Sequence, residues 1–207
     1  MRKTTIEDWL TDLASELPAP GGGAAAGVNA AMGAALVSMV CNLTIGKPKF
    51  AEHETVMREA LAEAERLRLE ALQLAEDDAE AFSGVVAAYK LPKTSDEEKA
   101  ARTAAIQAGL VEAAAVPLAV AKVAAQVIKL SGRVLEGSNP NVLSDVAVAA
   151  SAAKSALESA ALNVDINIVS IKDPAERERL ASALNEAIQA KVQAEAIMQA
   201  VAKRIRA

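Results

Sequence analysis

The sequence predicts an all-α fold, a single-domain bundle of six or seven helices with Ala/Gly-rich helices at its centre, and three observations predict it. Hydrophobic residues make up 52% of the 207 residues while aromatics supply only 2%. The interior must therefore be filled by Ala, Val, Leu and Ile at short range, which suits helices drawn together by small side chains better than a sheet. Helix-start and helix-stop chemistry also recurs along the whole chain. Finally, no internal repeat marks a solenoid and no stretch reads as a hinge, which leaves one bundle spanning residues 1–207.

Each element has its own punctuation. Thr5, with Asp8 three residues on, starts a short helix that should end near Glu16, before Pro18. Pro20 and Gly21 to Gly23 turn the chain into a second helix that runs to about Ile45 and stops at Gly46-Lys47-Pro48. A long third helix is predicted from near Glu52 to about Tyr89. Leu61, Leu67, Leu72, Leu74 and Val85 supply its apolar positions, and Glu63, Arg66 and Glu70 its wet side. Leu91-Pro92 closes it. Ser95 and Glu98 have capping-box spacing, each satisfying an orphan amide at the start of the fourth helix. Pro117 should kink or split that helix near Ala114, because it has no N–H for the ladder. The pattern resumes to about Leu135. Gly137 to Asn141 form an irregular loop, and a small-residue helix follows from about Val142 to Ile168. Asp173-Pro174-Ala175-Glu176 then opens a last helix to the C-terminus, with Pro at its first position. The helices over 24–45 and 142–168, rich in Ala and Ser, belong at the centre of the bundle and at a subunit interface.

Several function classes are disfavoured. The net charge of -5 and the lack of a Lys/Arg stripe interleaved with aromatics argue against nucleic acid. Cys41 is the single cysteine, which fits a reducing, cytoplasmic setting, and the N-terminal residues have no continuous apolar run of the secretory kind. The uncharged stretch from Leu17 to Gly46 has the length of a membrane span. Its Ala, Gly and Asn content is weakly lipophilic and no aromatic belt flanks it, so no membrane partner is expected. His53 and Cys41 alone cannot build a zinc site, and the glycines match neither GxGxxG nor a P-loop. No metal or cofactor is expected, and any active site must work with carboxylates, lysine and amides.

Taken singly, the polar candidates have ordinary explanations. Lys47 reads as a loop lysine at a helix C-terminus, Asp78 as part of the solvated run Glu76-Asp77-Asp78, and Asp145 as a helix-dipole partner worth ~0.3–1 kcal/mol. Asn163 and Asn167, four apart on an apolar helix, share one face and either bond between helices or line a polar pocket. Gly21 to Gly23 form either a tight turn or a bare helix N-terminus that offers amides to an anionic or carbonyl group. Asn29, Ser38 and Asn42 are the polar residues along the otherwise apolar second helix.

Their order along the chain is more specific. PAPGGGAAAGVNAAMGAALVSMVCNLTIGKPKF, then DDAEAFSGVVAAYKLPK, then NPNVLSDVAVAASAAKSALESAALNVDIN resembles the cyclodeaminase/cyclohydrolase family over nearly the whole chain, from about Ile6 to the last helix. The resemblance implies an all-helical homodimer that binds reduced folate and hydrolyses 5,10-methenyltetrahydrofolate to 10-formyltetrahydrofolate. Ala24 stands where many relatives carry Ser, which tilts the implied activity away from the deaminases. The implied catalytic residues are Asp145 as base toward water, Lys47 as proton relay or oxygen polariser, and Asp78 as partner of the pterin N–H groups, with the two aspartates exchangeable. Gly21, Gly22, Gly23, Asn42, Asn139, Asn141 and Ser144 would line the site, and Tyr89 would stand at its rim or serve as a core aromatic. The rival readings are 5-formiminotetrahydrofolate cyclodeaminase and, from another class, a non-catalytic helical scaffold.

Overall fold

The structure, a computed structural model, describes residues 3–207. Met1 and Arg2, the start of the N-terminal stretch read above, lie outside the described residues. The chain forms α1 (Ile6–Leu13), α2 (Gly22–Asn42), α3 (Glu54–Tyr89), α4 (Asp96–Val134), α5 (Leu143–Ile168), α6 (Pro174–Ile188) and α7 (Ala190–Arg206). Short 3-10 turns at Pro48–His53 and Pro140–Val142 precede α3 and α5, and no strand occurs among the described residues. Because α6 and α7 meet at Gln189, they form one broken rod, and the described residues make six rods.

The predicted caps do form. The Thr5 hydroxyl accepts from the Asp8 amide at 3.1 Å. Ser95 accepts from the Glu98 amide at 3.2 Å while Glu98 accepts from the Ser95 amide at 3.1 Å. Asp173 accepts from the Ala175 amide at 2.9 Å and stands just before Pro174. Caps of this kind each contribute about 1 kcal/mol and set where the rods begin. The N-terminus of α2 differs, since its capping position is Gly21, which has no side chain to offer.

Helix α2 lies between α3 and α5, with α4 behind all three and α6 and α7 packed on α4 and α5. Glycine makes the central approach possible. A Cβ at Gly27 would sit 2.8 Å from the Ala75 Cβ and 3.0 Å from the Ala71 carbonyl oxygen, and one at Gly33 would sit 3.0 Å from the Ala149 carbonyl oxygen. Both neighbouring backbones thus touch α2, and the core is built mainly of alanine and valine around a few larger residues such as Met57, Leu67, Ile128 and Leu157.

Four predicted boundaries change. Pro117 does not split its helix: α4 runs unbroken through it, and the carbonyl of Ala113, deprived of its usual donor, accepts from Asn167 Nδ2 of α5 at 3.1 Å. The last helix is broken at Gln189, where the Val192 amide bonds back only three residues, to the Gln189 carbonyl, at 3.3 Å. Helix α1 stops at Leu13, where the Ala14 amide closes it, and α2 stops at Asn42, where Thr44 folds its hydroxyl onto the Val40 carbonyl at 2.7 Å. By length and composition α2 and α4 are apolar enough to cross a membrane, but α2 is the central helix of the bundle and 61% of its apolar window is buried.

Candidate functional site

Three glycines and one carboxylate make the most distinctive local arrangement. At the start of α2 the amides of Gly22, Gly23 and Ala24 have no partner within the helix. Asp78, from the middle of α3, reaches this end and accepts from the Ala24 amide at 3.1 Å. It therefore supplies from another helix the cap that Gly21 cannot. A Cβ at Gly23 would lie 2.0 Å from Asp78 Oδ1, so the carboxylate occupies the space that any larger residue at position 23 would claim. Burial pushes the Asp78 carboxyl above its ordinary range, and the Ala24 hydrogen bond partly offsets this.

Around this carboxylate lies a cavity of about 350 Å³, bordered by Gly21 to Gly23, Phe82, Val85, Ile166, Asn163 and Asn167. Phe82 and Ile166 are 44% and 71% exposed, so the mouth is apolar while the floor is polar. An apolar body with few placed polar groups is the usual build of a small-molecule site. Taken alone, the Glu76-Asp77-Asp78 run reads as a solvated face, and only the family resemblance singles out Asp78. Asp77 does face outward, taking a hydrogen bond from Gln73 at 2.7 Å, while Asp78 turns in. The glycine run was the legible signal, since it required something close to the backbone.

Lys47, Asn139 and Asn141 form a second group, bordering a separate cavity of about 280 Å³ with Lys49 and Phe50. Asn139 is spent on holding the chain together. Its Nδ2 donates to the Leu43 carbonyl at 3.1 Å, its amide donates to the Thr44 hydroxyl at 3.0 Å, and its Oδ1 accepts from the Asn141 amide at 3.1 Å. These bonds lock the end of α2 to the start of α5, where Ser144 and Asp145 occupy the first turn. Asn42, Lys47, Asn141 and Ser144 are exposed and Asp145 is half-buried.

Within one chain these groups do not converge. Gly21 to Gly23 and Asp78 lie at the N-terminal end of α2, and Lys47 follows its C-terminal end; the 21 residues between them span ~30 Å at 1.5 Å per residue. Tyr89 joins neither group. It is 50% exposed rather than a core aromatic, with the Arg102 guanidinium 5.6 Å from its ring centroid and bonded to its carbonyl at 3.0 Å. No cluster of three or more His, Cys, Asp or Glu with metal-binding geometry occurs among the described residues.

Fold and site together define an all-helical domain with a cavity in which a glycine-lined helix N-terminus meets a half-buried carboxylate. A family model described as formiminotransferase-cyclodeaminase matches residues 5–186. A methenyltetrahydrofolate cyclohydrolase of Methylorubrum extorquens is 50% identical over 194 residues, 89% of this chain and 93% of that protein. The formimidoyltransferase-cyclodeaminase of Rattus norvegicus is 35% identical over 88% of this chain, which spans only 35% of that longer protein. The crystal structure of formiminotetrahydrofolate cyclodeaminase from Thermotoga maritima superposes with a TM-score of 0.84 at 32% identity, covering 98% of this chain and 96% of that one. The chain belongs to the formiminotransferase-cyclodeaminase family.

Proposed function

We propose that the protein is a methenyltetrahydrofolate cyclohydrolase, interconverting 5,10-methenyltetrahydrofolate and 10-formyltetrahydrofolate in one-carbon metabolism. The observation that carries this reading is the 50% identity to the Methylorubrum extorquens methenyltetrahydrofolate cyclohydrolase across 93% of that protein's length. The pocket chemistry supports it. Asp78 is a carboxylate in a cavity with apolar walls, suited to the amino and ring N–H donors of a pterin, which a carboxylate accepts in pairs.

The reaction adds water to the cationic carbon bridging N5 and N10. Water loses one proton as it adds, giving a tetrahedral carbinolamine. The bond from carbon to N5 then breaks as the carbinolamine hydroxyl loses its own proton to become the formyl carbonyl on N10, and of the two protons one goes to N5 and the other to solvent. A base and an acid are required at that carbon. Asp145 serves as the base and its charge stabilises the cation, while Lys47 polarises the developing oxygen and returns the proton to N5.

These two groups reach the pterin pocket in a homodimer. The outward face of α2 is an uncharged stripe of Ala25, Val28, Met32, Leu36, Met39 and Leu43, with Met32 49%, Met39 37% and Leu43 41% exposed. If two copies pack these stripes antiparallel about a two-fold axis, the Asp78 end of one copy meets the Lys47 end of the other. The half-sites that one chain keeps ~30 Å apart thereby form two complete sites.

The rival reaction is cyclodeamination of 5-formiminotetrahydrofolate, favoured by the 0.84 TM-score to the Thermotoga maritima enzyme. Supplying the purified protein with each folate and following the methenyl absorbance separates the two. The cyclohydrolase consumes the chromophore, whereas a protein that instead generates it from the formimino substrate is a cyclodeaminase. Failure of either reduced folate to raise the melting temperature would favour the scaffold reading.

A further inference from the structure

Two asparagines on α5 border the Asp78 cavity, and their amides are turned the same way. Asn163 Nδ2 donates to the Ser159 carbonyl at 2.8 Å. Asn167 Nδ2 donates twice, to the Asn163 carbonyl at 2.8 Å and across to the Ala113 carbonyl of α4 at 3.1 Å. Both Asn167 amide hydrogens are therefore committed, and its Oδ1 accepts from no protein donor among the described residues. The second of these bonds exists because of Pro117. In an uninterrupted helix the Ala113 carbonyl would accept from the amide of residue 117, and proline has none.

We infer that Pro117 fixes the Asn167 amide with its oxygen toward the pocket, so that Asn167 Oδ1, in the same cavity as the Asp78 carboxylate, makes the cavity selective for the reduced form of the bicyclic ring. This rests on the folate reading above. The 2-amino group and neighbouring ring N–H of a pterin are donors in every oxidation state, and Asp78 accepts them. The ring nitrogen at position 8 differs, carrying a hydrogen in the tetrahydro form and only a lone pair in the fully oxidised form. An amide oxygen held at that place accepts from the reduced ring and meets the oxidised ring lone pair to lone pair, leaving two acceptors desolvated without a donor. Sites built to pair a particular N–H reject analogues lacking it far more strongly than apolar sites reject an extra methylene.

Pro117 is thus a positioning residue and Asn167 a specificity residue. Restoring an amide at 117 gives the Ala113 carbonyl its helical donor and weakens one of the two bonds that hold the Asn167 amide, leaving chiefly its bond to the Asn163 carbonyl to oppose rotation of the NH₂ into the cavity, where it suits a bare ring nitrogen.

The test measures dissociation constants of tetrahydrofolate and folic acid for the parent, Pro117→Ala and Asn167→Ala, with circular dichroism and melting temperature as the check on folding. The parent should prefer the reduced ligand by at least about tenfold. Pro117→Ala should fold as the parent does and lose most of that preference chiefly through tighter binding of folic acid, an effect that general loosening of α4 does not produce because it weakens both ligands together. Asn167→Ala should lose the preference through weaker binding of tetrahydrofolate. If the parent binds tetrahydrofolate and both variants keep its ratio of affinities, the inference is overturned while the functional reading stands. If the parent binds neither ligand, both are overturned.

Discussion

At the scale of single residues, Gly23 and Asp78 form one unit, because the space the glycine leaves is filled by the carboxylate. Gly23→Ala should push the carboxylate out of position and lower kcat/KM at least about tenfold while the circular dichroism spectrum is retained; parental turnover would show that Asp78 has room to spare. Asp78→Asn isolates the charge, since the amide oxygen can still cap the Ala24 N–H. Burial raises the folded-state pKa of Asp78 above its ordinary 3.8, so the folded chain holds this proton more tightly than the unfolded one. Its contribution to stability is accordingly greatest below pH 3.8 and is lost as pH rises through the folded-state value. Denaturation across that window should show Asp78→Asn gaining on the parent as pH rises and then holding a constant difference. A difference independent of pH would contradict the buried-carboxyl account. The sequence marked Asp78 only through its place in a family-like segment, because the adjacent Glu76 and Asp77 made it read as a solvated run, and which way a charge turns on a long helix depends on what packs against it.

At the scale of elements, caps and turns were legible because they are local chemistry. Thr5, Ser95 with Glu98, and Asp173 with Pro174 all begin helices as their spacing requires. The boundary that differs most involves a partner distant in sequence. Pro117 was expected to split α4, but the Asn167 side chain, 54 positions from Ala113 along the chain, takes over the missing donor's role. The break at Gln189 has neither proline nor glycine to announce it. Helix α2 depends on close approach, and Gly33→Val would place a branched side chain against the Ala149 carbonyl oxygen. This overpacking should cost about 1–3 kcal/mol, read as a lower midpoint in urea. An unchanged midpoint would mean that α2 and α5 are free to separate.

At the scale of the whole molecule, the catalytic candidates fall at opposite ends of α2, because Asp78 lies far along α3 and packs at the N-terminal end of α2 while Lys47 follows its C-terminal end; helix lengths were legible in the sequence, but which ends meet was not. The proposed dimer makes two predictions. Met32→Glu combined with Met39→Glu places charge on the uncharged stripe, so light scattering should report a monomer and turnover should collapse; a fully active monomer would refute the shared site. Mixing subunits is more discriminating. Asp78→Asn and Lys47→Met, each inactive alone, should recover about a quarter of parental activity once their subunits exchange, because half the dimers are mixed and each of those carries one intact site. No recovery in demonstrably mixed dimers would place both residues' roles within a single chain.

The most direct measurement of the central claim is the loss of methenyl absorbance from 5,10-methenyltetrahydrofolate with the parent and with Asp78→Asn, at matched folding and oligomeric state. The account predicts that the parent clears the chromophore well above the buffer rate and that Asp78→Asn, which loses the paired hold on the pterin, is slower by about a hundredfold. A parent no faster than buffer, or a variant that keeps the parental rate, would contradict it.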